Sequence, residues 1–323
     1  MDHLQLLRLV RRPLSPDTRL EVPASREEFD LVQEILDRED AEYPQLWYDS
    51  WRNVAIIVAP PTPLHSGMAG ALLSRISDEM KLNSAISSEL SRNLTQDADR
   101  RTTKNTGRGL TTRAGDGALR YWEGKRATLM IAVEVALSQS YASLRQAISW
   151  SVVVLGCRLG LAMSIHEESR SRGAPPTRYY ASLEEANAVL EEAEDDLYQQ
   201  LPQHPYGPLE WDGETLSGKI GLVVLETYRP QDEDCPLDTL LEPSQSFMVV
   251  QDGEYVGHDI SPNLREVVVG DCIPSHLLIG QHFQATPLNF FQREWFEDQF
   301  QGLMVETALL RLQEKIKVRQ PIA

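Results

Sequence analysis

Cysteine is scarce in this chain: three in 323 residues, Cys157, Cys235 and Cys272, far apart and with no CxxC or His spacing around them. That excludes a disulfide framework and a zinc ribbon, and leaves reduced, structurally incidental thiols. Positive charge is scarce as well, 31 Lys plus Arg against 48 Asp plus Glu, for a formal charge of −17. A surface of that sign repels polyanions at long range, which excludes a general nucleic-acid coat and still allows a local cationic site. Long apolar runs are missing. The longest, residues 151–165, is interrupted by Arg158 and falls short of the ~20 residues that a spanning helix needs, so no membrane partner is expected. The opening MDHLQLLRLVRRPLSPD lacks the basic, apolar and small-residue order of a signal peptide. An intracellular place, cytoplasm or nucleus, is the expectation, and the sequon Asn93-Leu94-Thr95 then carries no glycan.

What is present is ordinary globular composition, 41% hydrophobic and 24% charged, in a chain long enough for one large core or two modest ones. Residues 1–24 read as an N-terminal extension. Phe29, Val32 and Leu36 then recur at helical spacing behind Ser25. The apolar run 54–59 is a strand that stops at Pro60-Pro61, and Pro63 opens a helix whose stripe is Met68, Leu72, Ile76 and Met80. Gly67, Ala71 and Ser74 on a neighbouring strip would let that helix lie close on a sheet. Residues 84–113 lose periodicity and read as a mobile connection. Residues 118–122 and 128–136 form a β-hairpin, followed by a helix carrying Tyr141, Leu144, Ile148 and Val152 and by a buried strand at 159–165.

This order predicts the α/β class, a mixed sheet flanked by helices, over a core of residues 25–169. Residues 170–210 are a linker with an acidic helix at 182–201, seven acidic residues and no basic one, a solvated face or an arm for a protein partner. Residues 211–323 add strands at 220–228, 247–250 and 267–269 and a closing helix around 296–316, either continuous with the core or as a second layer.

Three features invite chemistry. Gly213 to Lys219 spells most of a P-loop, but a polar break precedes it, a strand follows it, and Ile220 stands where a hydroxyl would hold magnesium, so nucleotide binding there is rejected. Residues 100–126 hold eight basic residues against Asp116 and Glu123, the one cationic stretch of an acidic protein and the candidate DNA contact. The third feature is the hairpin. Glu134 lies within the apolar arm LMIAVEVAL, on the side of Ala132 and Ala136, and a carboxylate in a central strand is costly unless paired, hydrogen-bonded or bound to metal. A three-residue loop at 124–126 would put Asp116 directly opposite it, two hard oxygen ligands suited to Mg²⁺ or Mn²⁺.

Here the residues resemble a known group, the PD-(D/E)XK nuclease superfamily and within it the Uma-two-like restriction-endonuclease-like family. The resemblance runs over about residues 48–165. YDSWRNVAIIVAPPTPLH keeps the family's order of a Tyr-acid pair, an apolar strand, a Pro-rich elbow and a His on the following helix. Gly115-Asp116 stands for the Pro-Asp motif, and Glu134-Val135-Ala136 for the E-x-K strand. The resemblance implies a metal-dependent endonuclease acting on DNA, with Asp116 and Glu134 as metal ligands and Asp49 as a third. Ala136 departs from the family's lysine, whose ammonium orients water and offsets transition-state charge. Arg145 on the next helix, or Gln139 just past the strand, would take its place as a catalytic residue. His65 is read as a core histidine satisfying a backbone group at the elbow, without a catalytic role. The competing expectation is a catalytically inactive nuclease fold that meets protein partners through its acidic surface.

Overall fold

The computed structural model describes residues 2–39, 44–83, 86–97, 102–106, 109–137, 140–168, 177–230, 235–257, 260, 267–278 and 285–318. The first of two principal sheets draws on β1 (Arg19–Pro23), β2 (Gln45–Asp49), β3 (Val54–Val58), β5 (Thr102–Asn105) and β6 (Leu110–Arg113), with β4 (Leu94–Asp97) lying between them in sequence but not in the sheet. Its order is β1-β3-β2-β6-β5, antiparallel throughout. The second sheet contains β7 (Gly117–Glu123), β8 (Arg126–Leu137) and β9 (Leu159–Glu167). Short pieces β10 (Arg178–Tyr180), β11 (Leu209–Trp211) and β12 (Glu214–Ser217) follow, then β13 (Ile220–Tyr228), β14 (Gln245–Gln251) and β15 (Glu254–Tyr255), and the chain closes with β16 (Ile316–Val318). The second sheet runs β15-β14-β13-β9-β8-β7-β4, and its one parallel pair is β8 with β9. It is a mixed sheet, as the pattern predicts.

The helices are α1 (His3–Val10), α2 (Arg26–Leu36), α3 (Pro63–Leu82), α4 (Ser88–Arg92), α5 (Tyr141–Val153), α6 (Leu183–Gln200), α7 (Val269–Cys272) and α8 (Arg293–Gln313). Ser25 starts α2 by a capping box with Glu28, so two otherwise unpaired backbone donors are satisfied reciprocally. Helices α1 and α2 bury Leu6, Val10, Phe29 and Val32 against Leu46, Tyr48, Ala55 and Ile57 of the first sheet. Helices α3 and α8 cover one face of the second sheet, where Met68, Leu72 and Ile76 meet Val133, Val135, Leu161 and Met163. Helix α5 covers the other, packing Leu144 and Ile148 on Ala132, Ala136 and Ala162. The crossover β8-α5-β9 is the connection that a parallel strand pair requires.

Several expectations change. Residues 3–23 are no loose extension: they supply α1 and β1, and β1 pairs with β3 along its length. The stretch read as a mobile connection contains α4 and the strands β4, β5 and β6, whose short, polar runs give no apolar periodicity to detect. Residue 67 faces α8, since a Cβ there would stand 2.2 Å from Leu303, so the small strip of α3 accommodates a helix and not the sheet. The strands β13 and β14 extend the core sheet beyond β9, which decides between a continuation and a second layer. At 267–269 a lone bridge from Val268 to Pro287 and the start of α7 replace the expected strand.

Candidate active site

Strand parity builds one wall. In β1 and β2 the residues Leu20, Val22, Leu46 and Tyr48 turn to the α1–α2 side. Arg19, Glu21, Trp47 and Asp49 therefore project from the opposite face. Thr112 pairs with Tyr48, so Arg113 joins that opposite face beside Asp49. This face borders a cavity of about 760 Å³, whose other walls include Trp51 and Arg52, α5 from its cap Ser140 to Trp150, and residues 237–240.

The hairpin builds the other wall. Its turn is the two-residue Gly124-Lys125, so pairs near the tip run Glu123 with Arg126 and Arg120 with Leu129. The three-residue loop expected from sequence is thus absent. A bulge follows between Leu119 and Arg120, and above it Leu119 meets Ile131 and Gly117 meets Val133. The extra residue on β8 restores the register that sets Asp116 opposite Glu134 one step further on. Val135 donates its backbone N–H to Asp116 Oδ2 at 2.7 Å. Asp116 and Glu134 border one small cleft with Arg19, Trp47 and His65.

Glu134 is 6% exposed, and among the described residues no hydrogen bond or ion pair reaches its carboxylate. Burial and then the Asp116 charge push its acid well above the usual carboxylate range, with Arg113, His65 and Arg19 pulling the other way. A Cβ at residue 115 would stand 2.9 Å from Glu134 Oε1. The lack of a side chain at residue 115 therefore leaves room for this carboxylate.

His65 is buried but satisfies no backbone group, which corrects the reading from sequence. Its Nδ1 lies 2.8 Å from Asp17 Oδ1 and its Nε2 lies 3.1 Å from Asp116 Oδ2. Burial alone would lower its pKa, but the two carboxylates outweigh burial, Asp116 first, and push it up to about 10. The imidazolium thus bridges the segment before β1 to the hairpin. Asp17 was not foreseen, since a lone aspartate in a polar turn carries no signal until the helix bearing His65 docks beside it.

Asp49 does not join the carboxylate pair. Its Oδ2 accepts from Arg113 Nη2 at 2.9 Å and Arg52 Nε at 3.0 Å, and its Oδ1 accepts the Trp51 backbone N–H at 3.0 Å. Burial raises its pKa, but Arg113 and Arg52 more than reverse this and hold it low. A carboxylate so committed is a structural counter-ion, and the expected third ligand is withdrawn.

Arg145 is also spent elsewhere. Its guanidinium donates to the Leu241 carbonyl at 2.8 and 3.2 Å and pairs with the exposed Glu242 at 2.6 Å, against the expectation that it turns to Glu134. Gln139 lies outside the described residues. Ala136 is buried against α5. The cations that do surround Glu134 are Arg113, 3% exposed, and Arg19, whose side chain is 10% exposed. Burial lowers the pKa of both, that of Arg113 to about 10. Among the described residues, the Nε of each has no hydrogen-bond partner.

The basic stretch at 100–126 does not act as one patch. Arg113 is buried on Asp49 and Arg120 pairs with Asp97, while Lys125 and Arg126 stand at the hairpin tip, the far end of the strands from Asp116. Arg100, Arg101 and Arg108 lie outside the described residues, and Lys104 is exposed on β5.

Among the described residues, no three His, Cys, Asp or Glu side chains converge as metal ligands, and no helix is long and apolar enough to cross a membrane. Two carboxylates without a third still suit Mg²⁺, which keeps several waters and takes one or two protein oxygens plus substrate phosphate. The unbonded Glu134 carboxylate fits such an ion, because a divalent charge would offset both its burial and its repulsion from Asp116. Comparison of the chain with protein-family models, with curated proteins and with solved structures returns no match.

Proposed function

We propose that the chain is a metal-dependent endonuclease that hydrolyses phosphodiester bonds in DNA, working in the cytoplasm or nucleus. The observation that carries the reading is Glu134: a buried carboxylate without a hydrogen-bond donor among the described residues, sharing a cleft with Asp116 beside a central hairpin and under the charges of Arg113, His65 and Arg19. The order α3-β7-β8-α5-β9, with an antiparallel hairpin followed by a parallel crossover, also supports the resemblance to PD-(D/E)XK nucleases.

Asp116 and Glu134 would hold Mg²⁺ or Mn²⁺, which would supply positive charge to offset the phosphate and lower the pKa of the attacking water. His65 and the Val135 N–H both hold Asp116 Oδ2, which fixes the carboxylate and leaves Oδ1 without a protein partner among the described residues. Arg19 and Arg113 take the part that the missing lysine plays in the family, offsetting charge on the phosphate oxygens in a dry site where such an interaction is strong. Neither guanidinium gives up a proton readily near neutral pH, so the attacking water loses its proton to solvent or to a substrate phosphate oxygen. Slow turnover is the expected consequence.

The deciding experiment incubates the full chain with single-stranded, duplex and supercoiled DNA in Mg²⁺ or Mn²⁺ at low salt. Cleavage by wild type that disappears in Asp116→Ala and Glu134→Ala supports the reading. No cleavage with either metal on any form of DNA overturns it, and leaves an inactive nuclease fold with an acidic, protein-facing surface.

A further inference from the structure

The 760 Å³ cavity is larger than the reacting centre needs. It is lined by Arg19, Arg52 and Arg113 but equally by Asp17, Glu21 and Asp238, so its charge is balanced. Balanced charge is a poor match to a stretch of duplex, which presents two rows of phosphates and takes most of its affinity from neutralising them. It is a good match to one phosphate carrying one base.

We infer that this cavity is a subsite for a single unpaired nucleotide, so that the substrate is DNA with a frayed, single-stranded or extruded residue beside the scissile bond. The inference rests on the phosphodiesterase reading and specifies its substrate class. Three observations support it. First, Arg19 borders both this cavity and the cleft of Asp116 and Glu134, while Arg113 and Trp150 border both the cavity and a second small space at Glu134. A phosphate held at Arg19 is therefore shared between the cavity and the carboxylates, with Arg113, bound to Asp49 and the Gln146 carbonyl, adding its charge.

Second, the side of the cavity along α5 is polar, lined by Ser140, Ser143, Gln146 and Ser149. Among the described residues, Arg113 Nε, Arg19 Nε, Trp150 Nε1 and Ser143 Oγ, all on lining residues, have no hydrogen-bond partner, and Arg113 and Trp150 are 3% and 5% exposed. Buried polar groups without partners cost stability, and a phosphate entering here would bring acceptors to the lining that surrounds them.

Third, the lining also holds apolar side chains. Trp51 is half-buried in it, and Leu237 and Leu240 keep 41% and 48% of their surface exposed. A half-buried indole in such a lining is a platform for a base, which stacks regardless of sequence. Watson–Crick pairing would keep the base in its duplex, so only an unpaired residue can enter.

The test measures binding, apart from cleavage, by calorimetric titration of the full chain in EDTA with deoxynucleoside monophosphates, inorganic phosphate, a 5′-phosphorylated single-stranded oligonucleotide and a blunt duplex of equal length. Saturable binding of the mononucleotide and the single strand, tighter than phosphate and at least tenfold tighter than the duplex, is expected. Trp51→Ala should weaken both by about tenfold or more, the loss of one base–aromatic stack. Trp51→Phe should retain most of the affinity, and Lys125→Ala at the distant hairpin tip should change nothing. Duplex binding as tight as single strand, or binding indifferent to Trp51→Ala in a folded variant, overturns the inference. Nucleotide binding without cleavage in Mg²⁺ upholds the subsite and sinks the catalytic reading. Cleavage without nucleotide binding does the reverse.

Discussion

The Glu134 carboxylate occupies the space that a side chain at Gly115 would fill, its Oε1 standing 2.9 Å from the position of the absent Cβ. Gly115→Ala must move that carboxylate, which is the mobile partner of the contact. The variant should keep its fold at a cost of about 1 kcal/mol. Its cleavage rate should fall about 10²-fold, as displacement of a reacting group by about 1 Å implies. Parallel denaturant melts and nicking rates check this, and equal losses in both would argue against a special role for residue 115.

Arg19 and Arg145 should separate cleanly. Arg19→Gln removes a cation next to Glu134 and should slow cleavage by about 10²- to 10³-fold, the usual loss for one preorganised donor. Arg145→Ala frees Leu241, Glu242 and the Tyr141 ring, none of them beside Glu134, so the rate should stay within about twofold of wild type. Initial rates on one oligonucleotide decide it.

Metal should stabilise the folded chain through the carboxylate pair. Saturation at a hundredfold excess over the dissociation constant adds about 2.7 kcal/mol, visible as a rise in Tm. Asp116→Ala and Glu134→Ala should remove the rise, whereas Asp49→Asn should keep it, because Asp49 is committed to Arg113 and Arg52. A Mg²⁺ titration by differential scanning calorimetry would show a shift surviving in Glu134→Ala if the ion binds elsewhere.

Alkaline pH should weaken the fold through His65. Its folded-state pKa, about 10, lies above the ordinary histidine value near 6.5, so the folded state holds the extra proton between them. The contribution is complete below about pH 6.5 and is lost as pH rises through about 10. Glu134, also raised, loses protonated-state stability in the same direction. Urea midpoints for wild type should fall more steeply above neutrality than those of His65→Gln.

Acid should act through Asp49. Its pKa is held low, so its contribution is present above the ordinary value near 3.9 and is lost as pH falls through the depressed folded value. Asp49→Asn should lack this acid limb, and at pH 7 should lose about 3–5 kcal/mol because Arg113 remains buried without its counter-charge. Matched acid titrations by circular dichroism test both statements.

Much of the central sheet could be read from the chain because its strands are apolar and its helices striped. The hairpin, α5, β9 and β13 all follow from runs of Val, Ile, Leu and Ala whose period is unambiguous. The first sheet was half hidden because β5 and β6 are Thr-rich and four residues long, and the pair joins the sheet only where Thr112 of β6 meets Tyr48 of β2, far earlier in the chain. The Asp116–Glu134 pairing was reached by a turn length that the protein does not use, and it stands because a bulge makes up the difference. Asp17 and Arg19 escaped notice, and Arg113 counted only as one of the eight basic residues at 100–126. Asp17 and Arg113 take their places through long-range contacts, with His65 of α3 and Asp49 of β2, and no local pattern encodes those.

That composite construction has a consequence for synthesis. The first sheet is complete once Arg113 has been made, three residues before Asp116 and twenty-one before Glu134. Because a chain emerges from its N-terminus and folds as it goes, Arg19, Arg113 and His65 are on hand before either acid of the hairpin arrives. The two like charges are thus never brought together in the absence of cations, and the ribosome delivers the counter-ions first.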